Sequence, residues 1–268
     1  MVILTCANAA KETHEGKAFK NFSFRRLIED TIKRSEYFGY KMDVYDLGNL
    51  GIGELYSIED ESFVATGYYE KEVKSGYKTK SLFKPEIVKL SMAKHDELIV
   101  YLDGDAQLCG CIDEVDTDDY DIGVTLRDVE ELDNDWHREH MDIVKYVNAG
   151  VIFFRPTPKA REFVENWACM TEQLGNDQMA LNRLSCPDEY PKAWTVHILN
   201  GVRVKYFPGK VYNFYYFMEA TALGAKIYHF KGSVRHFYPF DLKKRLFCLC
   251  IVPIINLVSK VRKKPVAR

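Results

Sequence analysis

An apolar segment that ends in two carboxylates constrains the fold of this chain more than any other feature. Residues 98–102 read LIVYL, and Asp103, Gly104 and Asp105 follow directly. A continuous apolar run of this length is typical of a strand that is covered on both faces, as in a parallel sheet. We therefore expect a buried strand whose carboxyl end presents two acidic side chains.

Strand-like and helix-like segments alternate along the first part of the chain. Residues 2–7 read as a strand, the apolar side chains of FSFRRLIEDTI recur at helical spacing, and YKMDVYDLG reads as the next strand. Thr157 followed by Pro158 predicts the start of a helix. Four later segments read as strands: DIGVTL, YVNAGVIFF, VRVKYF and KIYHF. This alternation predicts an α/β fold in which helices flank a mostly parallel central sheet.

Composition excludes several classes of protein. The chain has 268 residues, of which 47% are hydrophobic and 28% are charged, as in ordinary globular proteins. Its seven cysteines include no CxxC pair, which argues against a disulfide framework or a zinc site and for a reducing compartment. The amino-terminal MVILTCANAAKE lacks the basic and apolar regions of a signal peptide and reads as the first strand.

The two aspartates have the spacing of a metal site. Residues two apart on a strand share a face, so Asp103 and Asp105 can point at one place, and Gly104 lets a ligand approach the backbone. Two ionised carboxylates this close repel each other unless a cation joins them, and their oxygen atoms suit Mg²⁺ or Mn²⁺. The alternative is an ordinary turn, in which Asp and Gly are also common.

Three later segments carry polar side chains that suit such a site. YVNAGVIFFRP holds Asn148 at the start of a strand, and GNDQMALN covers residues 175–182. KIYHFKGSVRHFYP holds His229, which would complete a mixed carboxylate and imidazole site that favours Mn²⁺ over Ca²⁺. Arg235, six residues later, has a planar fork that suits phosphate oxygens. Taken singly, each segment also fits a structural role, as a tight strand start, a helix cap or a hydrogen-bonded histidine.

In this order, the four segments resemble those of the GT-A glycosyltransferases over about residues 1–240. The resemblance is closest to the retaining family 8 type, which includes bacterial lipopolysaccharide galactosyl- and glucosyltransferases. Arg235 stands where that family usually has Lys. Four family motifs have counterparts here: DxD at Asp103 to Asp105, Asn-Ala-Gly at Asn148 to Gly150, DQ-x-x-x-N at Asp177 to Asn182, and H-x-x-G-x-x-K at His229 to Arg235.

The resemblance implies a GT-A type nucleotide-diphospho-sugar transferase fold and a glycosyltransferase that uses Mn²⁺ or Mg²⁺. The donor would be a nucleotide-sugar, usually a UDP-sugar in this family, and the acceptor a glycan or glycolipid. The implied metal ligands are Asp103, Asp105 and His229. The implied catalytic residues are Asp177 and Gln178, and the implied donor-binding residues are Thr5, Asn8, Lys84, Asn148, Gly232 and Arg235.

The stereochemical outcome depends on two neighbouring residues. By resemblance, Gln178 would lie beside the anomeric carbon, where a neutral carboxamide is a poor nucleophile and no base, and this favours retention. If Asp177 instead faces the acceptor hydroxyl, it could be the base of an inverting enzyme. We favour retention and keep inversion as the alternative.

Two further segments carry predictions of their own. Residues 127–146 are polar and are expected to form a mobile loop over the donor, since lids exclude water from transfer reactions. The aromatic run VYNFYYF, residues 211–217, could stack on an acceptor sugar, although core packing is the alternative for at least half of its rings.

Charge divides the chain near residue 240. Residues 241–268 contain eight Lys or Arg and one Asp, so the overall net charge of −2 leaves −9 on residues 1–240. The apolar stretch 246–258 is too short to span a membrane, but it suits an interfacial segment with basic ends against anionic lipid. We therefore expect a catalytic domain over 1–240 and a tail over 241–268 that associates peripherally with a cytoplasmic membrane face. A carboxyl-terminal helix docked on the body is the alternative.

Two other function classes compete with a glycosyltransferase. A sugar-phosphate nucleotidyltransferase also combines nucleotides, metal and an α/β sheet, but it usually needs a glycine-rich, basic phosphate loop after the first strand. CANAAKETHEGK does not supply that loop. A non-catalytic nucleotide-sugar-binding protein need not keep Asp103, Asp105 and His229 together. No nucleic-acid partner is predicted.

Overall fold

The computed structural model describes residues 1–7, 22–46, 83–133, 145–217, 223–251 and 254. The strands are β1 (Val2–Ala7), β2 (Lys41–Asp46), β3 (Ile99–Leu102), β4 (Ala106–Leu108), β5 (Ile122–Leu126), β6 (Val147–Phe154), β7 (Val196–Leu199), β8 (Val202–Pro208) and β9 (Ile227–His229). The α-helices are α1 (Phe24–Phe38), α2 (Phe83–Lys94), α3 (Val129–Leu132), α4 (Pro158–Leu174), α5 (Asp177–Ser185), α6 (Gly209–Tyr212) and α7 (Leu242–Cys250). Short 3₁₀ helices cover Asp113–Val115 and Gly232–Phe237.

Seven of the strands form one central sheet in the order β2-β1-β3-β6-β5-β8-β7. β1, β2, β3, β5 and β8 run in one direction, whereas β6 and β7 run against them. The predicted α/β architecture, with a mostly parallel sheet and flanking helices, is therefore confirmed. All residues of β3 and β6 are buried, as expected for strands that are covered on both faces.

The reversed direction of β6 matters for the site. β6 pairs antiparallel with β3 on one side and with β5 on the other, and Val151 lies opposite Leu102 at the end of β3. The amino end of β6 therefore meets the carboxyl ends of its two neighbours. The polar residues at the start of YVNAGVIFF consequently lie at the same edge of the sheet as the two aspartates.

Helices α2, α4 and α5 cover one face of the sheet, and their apolar side chains join one core cluster with β1, β3 and β6. α4 starts where the sequence predicts, because Thr157 Oγ1 accepts a hydrogen bond from the N–H of Ala160 at 3.1 Å and Pro158 occupies the first turn. The fully buried Trp167 donates from Nε1 to the carbonyl oxygen of Asp177 at 3.0 Å. This contact attaches the start of α5 to α4.

The other face of the sheet carries α1 and a second, two-stranded sheet made of β4 and β9. Phe24 and Leu27 of α1 are buried in an aromatic cluster with β9. β4 and β9 pair antiparallel, with Ala106 opposite His229. Because β4 begins directly after Asp105, this pairing brings His229 beside the acidic pair.

α7 is the main described part of the predicted tail. Asp241 caps it by accepting from the N–H of Lys244 at 3.0 Å, and Lys244 Nζ donates to the carbonyl oxygens of Phe237 and Pro239, each at 2.8 Å. α7 is therefore attached to the body at its start. Across the described ranges, no helix combines the length and apolar character needed to cross a membrane. The domain boundary at residue 240 stays a prediction.

Candidate active site

The site lies where the carboxyl end of β3 meets the amino end of β6. The N–H of Asp103 donates to the carbonyl oxygen of Gly150 at 2.8 Å, and the N–H of Ala106 donates to the carbonyl oxygen of Asp103 at 2.7 Å. Asp103, Gly104 and Asp105 thus form a turn that connects β3 to β4. The turn that the sequence offered as an alternative is present, and it also brings both carboxylates to this edge.

Asp103, Asp105 and His229 each place a potential ligand atom within 4.8 Å of the others. His229 Nε2 lies 3.1 Å from Asp105 Oδ1 and 3.8 Å from Asp103 Oδ2. Ligands of an octahedral Mg²⁺ ion lie about 2.1 Å from the metal, hence about 3.0 Å apart in cis and about 4.2 Å apart in trans. The three atoms therefore fit one ion after small movements, and two carboxylates with one imidazole suit Mn²⁺ or Mg²⁺.

Lys84 of α2 joins Asp103 to the start of α5. Its Nζ lies 2.9 Å from Asp103 Oδ1 and 2.8 Å from Asp177 Oδ2, and it donates to the carbonyl oxygen of Ala149 at 3.3 Å. Burial lowers the pKa of Lys84, but the two carboxylates outweigh burial and raise the pKa above its ordinary value. Lys84 is therefore a cation at physiological pH, beside the acidic pair.

Arg235 binds the other aspartate. Its Nη2 lies 2.6 Å from Asp105 Oδ2, and its guanidinium packs over the rings of Phe22 and Phe24, 5.3 and 5.5 Å from their centroids. A planar guanidinium can stack on aromatic rings while its edge binds an anion, whereas a lysine ammonium is a point charge on a flexible stem. This packing suits Arg at a position where the resembling family usually has Lys.

Asp177 and Gln178 occupy the first turn of α5, which Asn176 caps. The carboxamide of Gln178 is bound at both ends to the backbone of β6: Oε1 accepts from the N–H of Ala149 at 2.8 Å, and Nε2 donates to the carbonyl oxygen of Val147 at 2.7 Å. The structure therefore brings Gln178 to the predicted edge and holds its side chain against β6. Its placement beside an anomeric carbon stays a prediction.

Two of the other predicted donor-binding residues, Thr5 and Gly232, lie within the described ranges. Thr5 is buried near the end of β1, and its hydroxyl has no hydrogen-bond partner within the described ranges. Gly232 begins the 3₁₀ helix after β9 with φ +57°, a conformation that favours glycine. Asn8 and residues 134–144, which include most of the predicted loop over the donor, lie outside the described residues.

Asn148, predicted to contact the donor, has a side chain that faces the interior. It is 7% exposed, and its Oδ1 lies 2.9 Å from the N–H of Gly150 and 3.0 Å from Nδ2 of Asn213. Asn213 in turn contacts His229 Nδ1 at 2.8 Å. Asn213 was not among the residues predicted from the sequence, although it lies within VYNFYYF. In that run Tyr212, Phe214 and Phe217 are buried, as core packing predicts.

A second polar cluster was not predicted. Glu131 accepts from Arg127 Nη1 at 2.6 Å and from the hydroxyls of Tyr215 and Tyr216, and Lys231 Nζ lies 3.3 Å from the ring centroid of Tyr215. Burial, together with the charge of Arg127, lowers the pKa of Lys231 to about 7. Burial raises the pKa of Glu131, but Arg127 and Lys231 outweigh it and the net shift is downward. The only sequence signal was the position of Lys231, two residues after a predicted ligand.

The sequence of this region matches a known family. A family model of nucleotide-diphospho-sugar transferases matches residues 100–235, just over half of the chain. The match begins in β3 and ends at Arg235, so it includes the acidic turn, β6, α5 and β9. No curated protein sequence matched the chain.

Solved structures share the fold. The crystal structure of a glycosyltransferase involved in the glycosylation of the major capsid of PBCV-1 matches with a TM-score of 0.54 and 12% identity, over 88% of this chain and 96% of that one. The bifunctional glycosyltransferase WbbM matches with a TM-score of 0.50 and 13% identity, over 97% of this chain and 51% of that one. The galactosyltransferase LgtC, solved with donor and acceptor sugar analogs, has a TM-score of 0.48 and 13% identity, over 97% and 96% of the two chains.

At 12% and 13% identity, these likenesses concern the fold. The shared fold is that of the GT-A glycosyltransferases, as the sequence resemblance implies. The comparisons therefore confirm the predicted fold type.

Proposed function

Because the chain belongs to the nucleotide-diphospho-sugar transferase family, we propose that it is a metal-dependent glycosyltransferase that moves a sugar from a UDP-sugar to a glycan or glycolipid acceptor. One observation carries the proposal. Asp103, Asp105 and His229 meet at an edge where Lys84 and Arg235 add two cations. Such a set can bind a divalent ion and a diphosphate together.

The chemistry of the donor explains this combination of charges. Glycosyl transfer breaks the bond between the anomeric carbon and the diphosphate, so negative charge develops on the leaving oxygen. A bound Mn²⁺ or Mg²⁺ ion would neutralise that charge as a Lewis acid. Lys84 and Arg235 each bind one carboxylate of the acidic pair. We expect both cations to turn to phosphate oxygens and stabilise the departing diphosphate.

We further propose that transfer proceeds with retention. The carboxamide of Gln178 is neutral and both of its ends bind β6, so it supplies no base. Asp177, which an inverting enzyme could use as a base, is bound by Lys84 at 2.8 Å. An NMR spectrum of the first product tests this proposal. A product with the anomeric configuration of the donor supports retention, and the opposite configuration favours Asp177 as the base.

A donor-hydrolysis screen tests the activity. The purified protein is given UDP-, GDP- and dTDP-sugars with and without Mn²⁺, next to Asp105→Ala and the exposed control Asp96→Ala. We expect slow, Mn²⁺-dependent release of UDP from one UDP-sugar, which is lost in Asp105→Ala and kept in Asp96→Ala. Equal release by Asp105→Ala would contradict the proposal. Tight metal-dependent nucleotide binding without release, even with glycan acceptors present, would indicate a binding protein instead.

We also propose that the protein works peripherally on a cytoplasmic membrane face, where it meets a lipid-linked acceptor. α7 exposes Leu242, Leu246 and Phe247, which are 71%, 50% and 39% exposed, next to the exposed Lys243. Apolar side chains flanked by cations suit the interface of an anionic bilayer.

Co-sedimentation with phosphatidylglycerol vesicles tests the membrane proposal. Leu242→Asp combined with Leu246→Asp should abolish binding, because the substitutions place negative charge against an anionic surface. Tyr37→Asp is the control, since Tyr37 is 84% exposed and belongs to α1, outside the tail sequence. Undiminished binding by the double variant would contradict the proposal.

A further inference from the structure

We propose that Asn213 is a positioning residue that holds a proton on Nδ1 of the His229 imidazole, so that Nε2 is the ring nitrogen available to a metal ion beside the acidic pair. The inference rests on the metal-dependent function proposed above, but its chemistry can be measured in the metal-free protein. Four buried side chains carry it: Thr125, Asn148, Asn213 and His229.

The series of hydrogen bonds starts at a backbone group. The N–H of Gly150 can only donate, and it lies 2.9 Å from the side-chain oxygen Oδ1 of Asn148. An amide nitrogen at that place would meet another donor. The contact therefore sets the orientation of the Asn148 carboxamide, with Oδ1 towards the N–H of Gly150. Asn148 therefore presents an oxygen to Asn213.

Asn213 presents its nitrogen to that oxygen. Nδ2 lies 3.0 Å from Asn148 Oδ1 and 2.8 Å from Thr125 Oγ1. The Thr125 hydroxyl has two backbone carbonyl acceptors, at 3.1 and 3.2 Å, so its proton points at the backbone and its oxygen can accept. Two acceptors thus hold the nitrogen of Asn213, and its Oδ1 is turned towards the imidazole.

That oxygen determines the proton position on His229. It lies 2.8 Å from Nδ1, and because an amide oxygen only accepts, Nδ1 carries a proton. The other ring nitrogen, Nε2, faces Asp105 Oδ1 at 3.1 Å and Asp103 Oδ2 at 3.8 Å. A hydrogen bond at one ring nitrogen sets the tautomer and orients the ring when the other nitrogen binds a metal.

Close packing keeps the ring in this orientation. A Cβ on Gly150 would lie 2.3 Å from Cε1 and 2.5 Å from Nδ1 of His229, so the ring lies directly against β6. Asn213 is 1% exposed and His229 is 3% exposed, so bulk water does not replace their contact. The segment from Asn148 to Gly150 therefore orients His229, a role that differs from the donor contact that the resemblance implies for Asn148.

Asn213→Leu tests the inference, because leucine is close in size but offers no acceptor to Nδ1. We expect the Mn²⁺ affinity of the full chain, measured by calorimetric titration, to fall about 10- to 100-fold, as is usual when a residue that orients a metal-binding histidine is lost. Tyr206→Phe is the matched control, since it also removes a buried hydrogen bond, from its hydroxyl to the carbonyl oxygen of Ser185 at the far end of α5. Tyr206→Phe should keep wild-type Mn²⁺ affinity. Wild-type affinity in Asn213→Leu would overturn the inference.

An NMR spectrum of ¹⁵N-histidine-labelled, metal-free protein reads the proton position directly. The Nδ1 signal of His229, assigned by its absence in His229→Gln, should carry a proton in the wild type, and Asn213→Leu should lose this preference. A proton-free Nδ1 in the wild type would overturn the inference, whatever the enzyme does. A protonated Nδ1 in a wild type that binds no Mn²⁺ would overturn the metal-dependent function instead, so the two failures are distinguishable.

Discussion

The two sides of the candidate site are held by different forces. On one side, which we call the amide side, Thr125, Asn148 and Asn213 orient His229 through hydrogen bonds between uncharged groups and the backbone. On the other, the ionic side, Lys84 and Arg235 bind the carboxylates of Asp103, Asp105 and Asp177. The side chains of the ionic side are 10% to 22% exposed.

This difference gives the two sides separate roles. The amide side orients the imidazole of His229, and the ionic side exchanges its ion-pair partners when a ligand binds. The amide side satisfies its polar groups without any ligand, so it is arranged before a ligand binds. The ionic side neutralises its carboxylates with its own cations, and a metal ion together with a diphosphate can exchange partners with them. We therefore expect substitutions on the amide side to change metal affinity, and loss of a cation on the ionic side to change the stability of the metal-free protein.

Gly150→Ala should have the largest effect, because its Cβ would lie 2.3 Å from the His229 ring. We expect Mn²⁺ affinity to fall about 100-fold, which is about 2.7 kcal/mol, because the displaced ring no longer aims Nε2 at the ion. Gly123→Ala is the matched control, since its Cβ would lie 2.5 Å from Phe207 in the core. It should lower the melting temperature and leave Mn²⁺ affinity unchanged. An equal loss of affinity in both variants would contradict the division into two sides.

Lys84→Met should have the next largest effect, on stability rather than on orientation. It leaves two partly buried carboxylates without their shared cation, which should cost the metal-free protein about 2 kcal/mol in the free energy of unfolding, less than for a fully buried pair. Mn²⁺ should restore part of this loss, so it should raise the melting temperature more in the variant than in the wild type. Lys89→Met, on the same helix with surface partners, is the control. A smaller Mn²⁺ effect in Lys84→Met would argue against an exchange of partners.

Acid should lower the stability that the cluster around Glu131 contributes. This cluster adjoins the amide side, but its contacts are ionic. Because Arg127 and Lys231 hold the pKa of Glu131 below its ordinary value, its contribution to stability is fully present above about pH 4.3. That contribution is lost as the pH falls through the lower folded-state pKa. Denaturant unfolding should therefore show a smaller loss between pH 6 and pH 3.5 in Glu131→Gln than in the wild type. Identical losses of stability in Glu131→Gln and the wild type would show that Glu131 does not contribute to the sensitivity to acid.

Arg235→Lys should have the smallest effect. The charge stays but the stacking on Phe22 and Phe24 is lost, which is worth about 1 kcal/mol and corresponds to about fivefold weaker donor binding. A double-mutant cycle with Phe22→Leu measures the coupling. Phe22→Leu should weaken donor binding in the wild type and have little further effect beside Arg235→Lys. Additive losses would show that the ring does not act through Arg235.

The residues that directly follow a recognisable strand could be predicted from the sequence. Asp103 and Asp105 follow an apolar run, so their position at the end of a buried strand required no knowledge of the rest of the fold. His229 required the resemblance, since only the pairing of β4 with β9 brings it beside Asp105.

Other features depend on contacts between distant segments and gave little sequence signal. An apolar run reads the same in both directions, so the reversed direction of β6 was not predictable from its residues. Asn213 lies in a run of aromatic side chains, and its role depends on β5, β6 and β9 meeting. The packing of Arg235 on Phe22 likewise joins residues far apart in sequence.

We propose above all that Asp103, Asp105 and Nε2 of His229 bind one metal ion for a nucleotide-sugar donor. The most direct test is a crystal structure with Mn²⁺ and UDP, with an anomalous difference map at the manganese edge. We expect one peak bounded by these three side chains, with Lys84 and Arg235 turned from their carboxylates to the diphosphate. No peak, or a peak that excludes Nε2 while Lys84 still bridges Asp103 and Asp177, would contradict it.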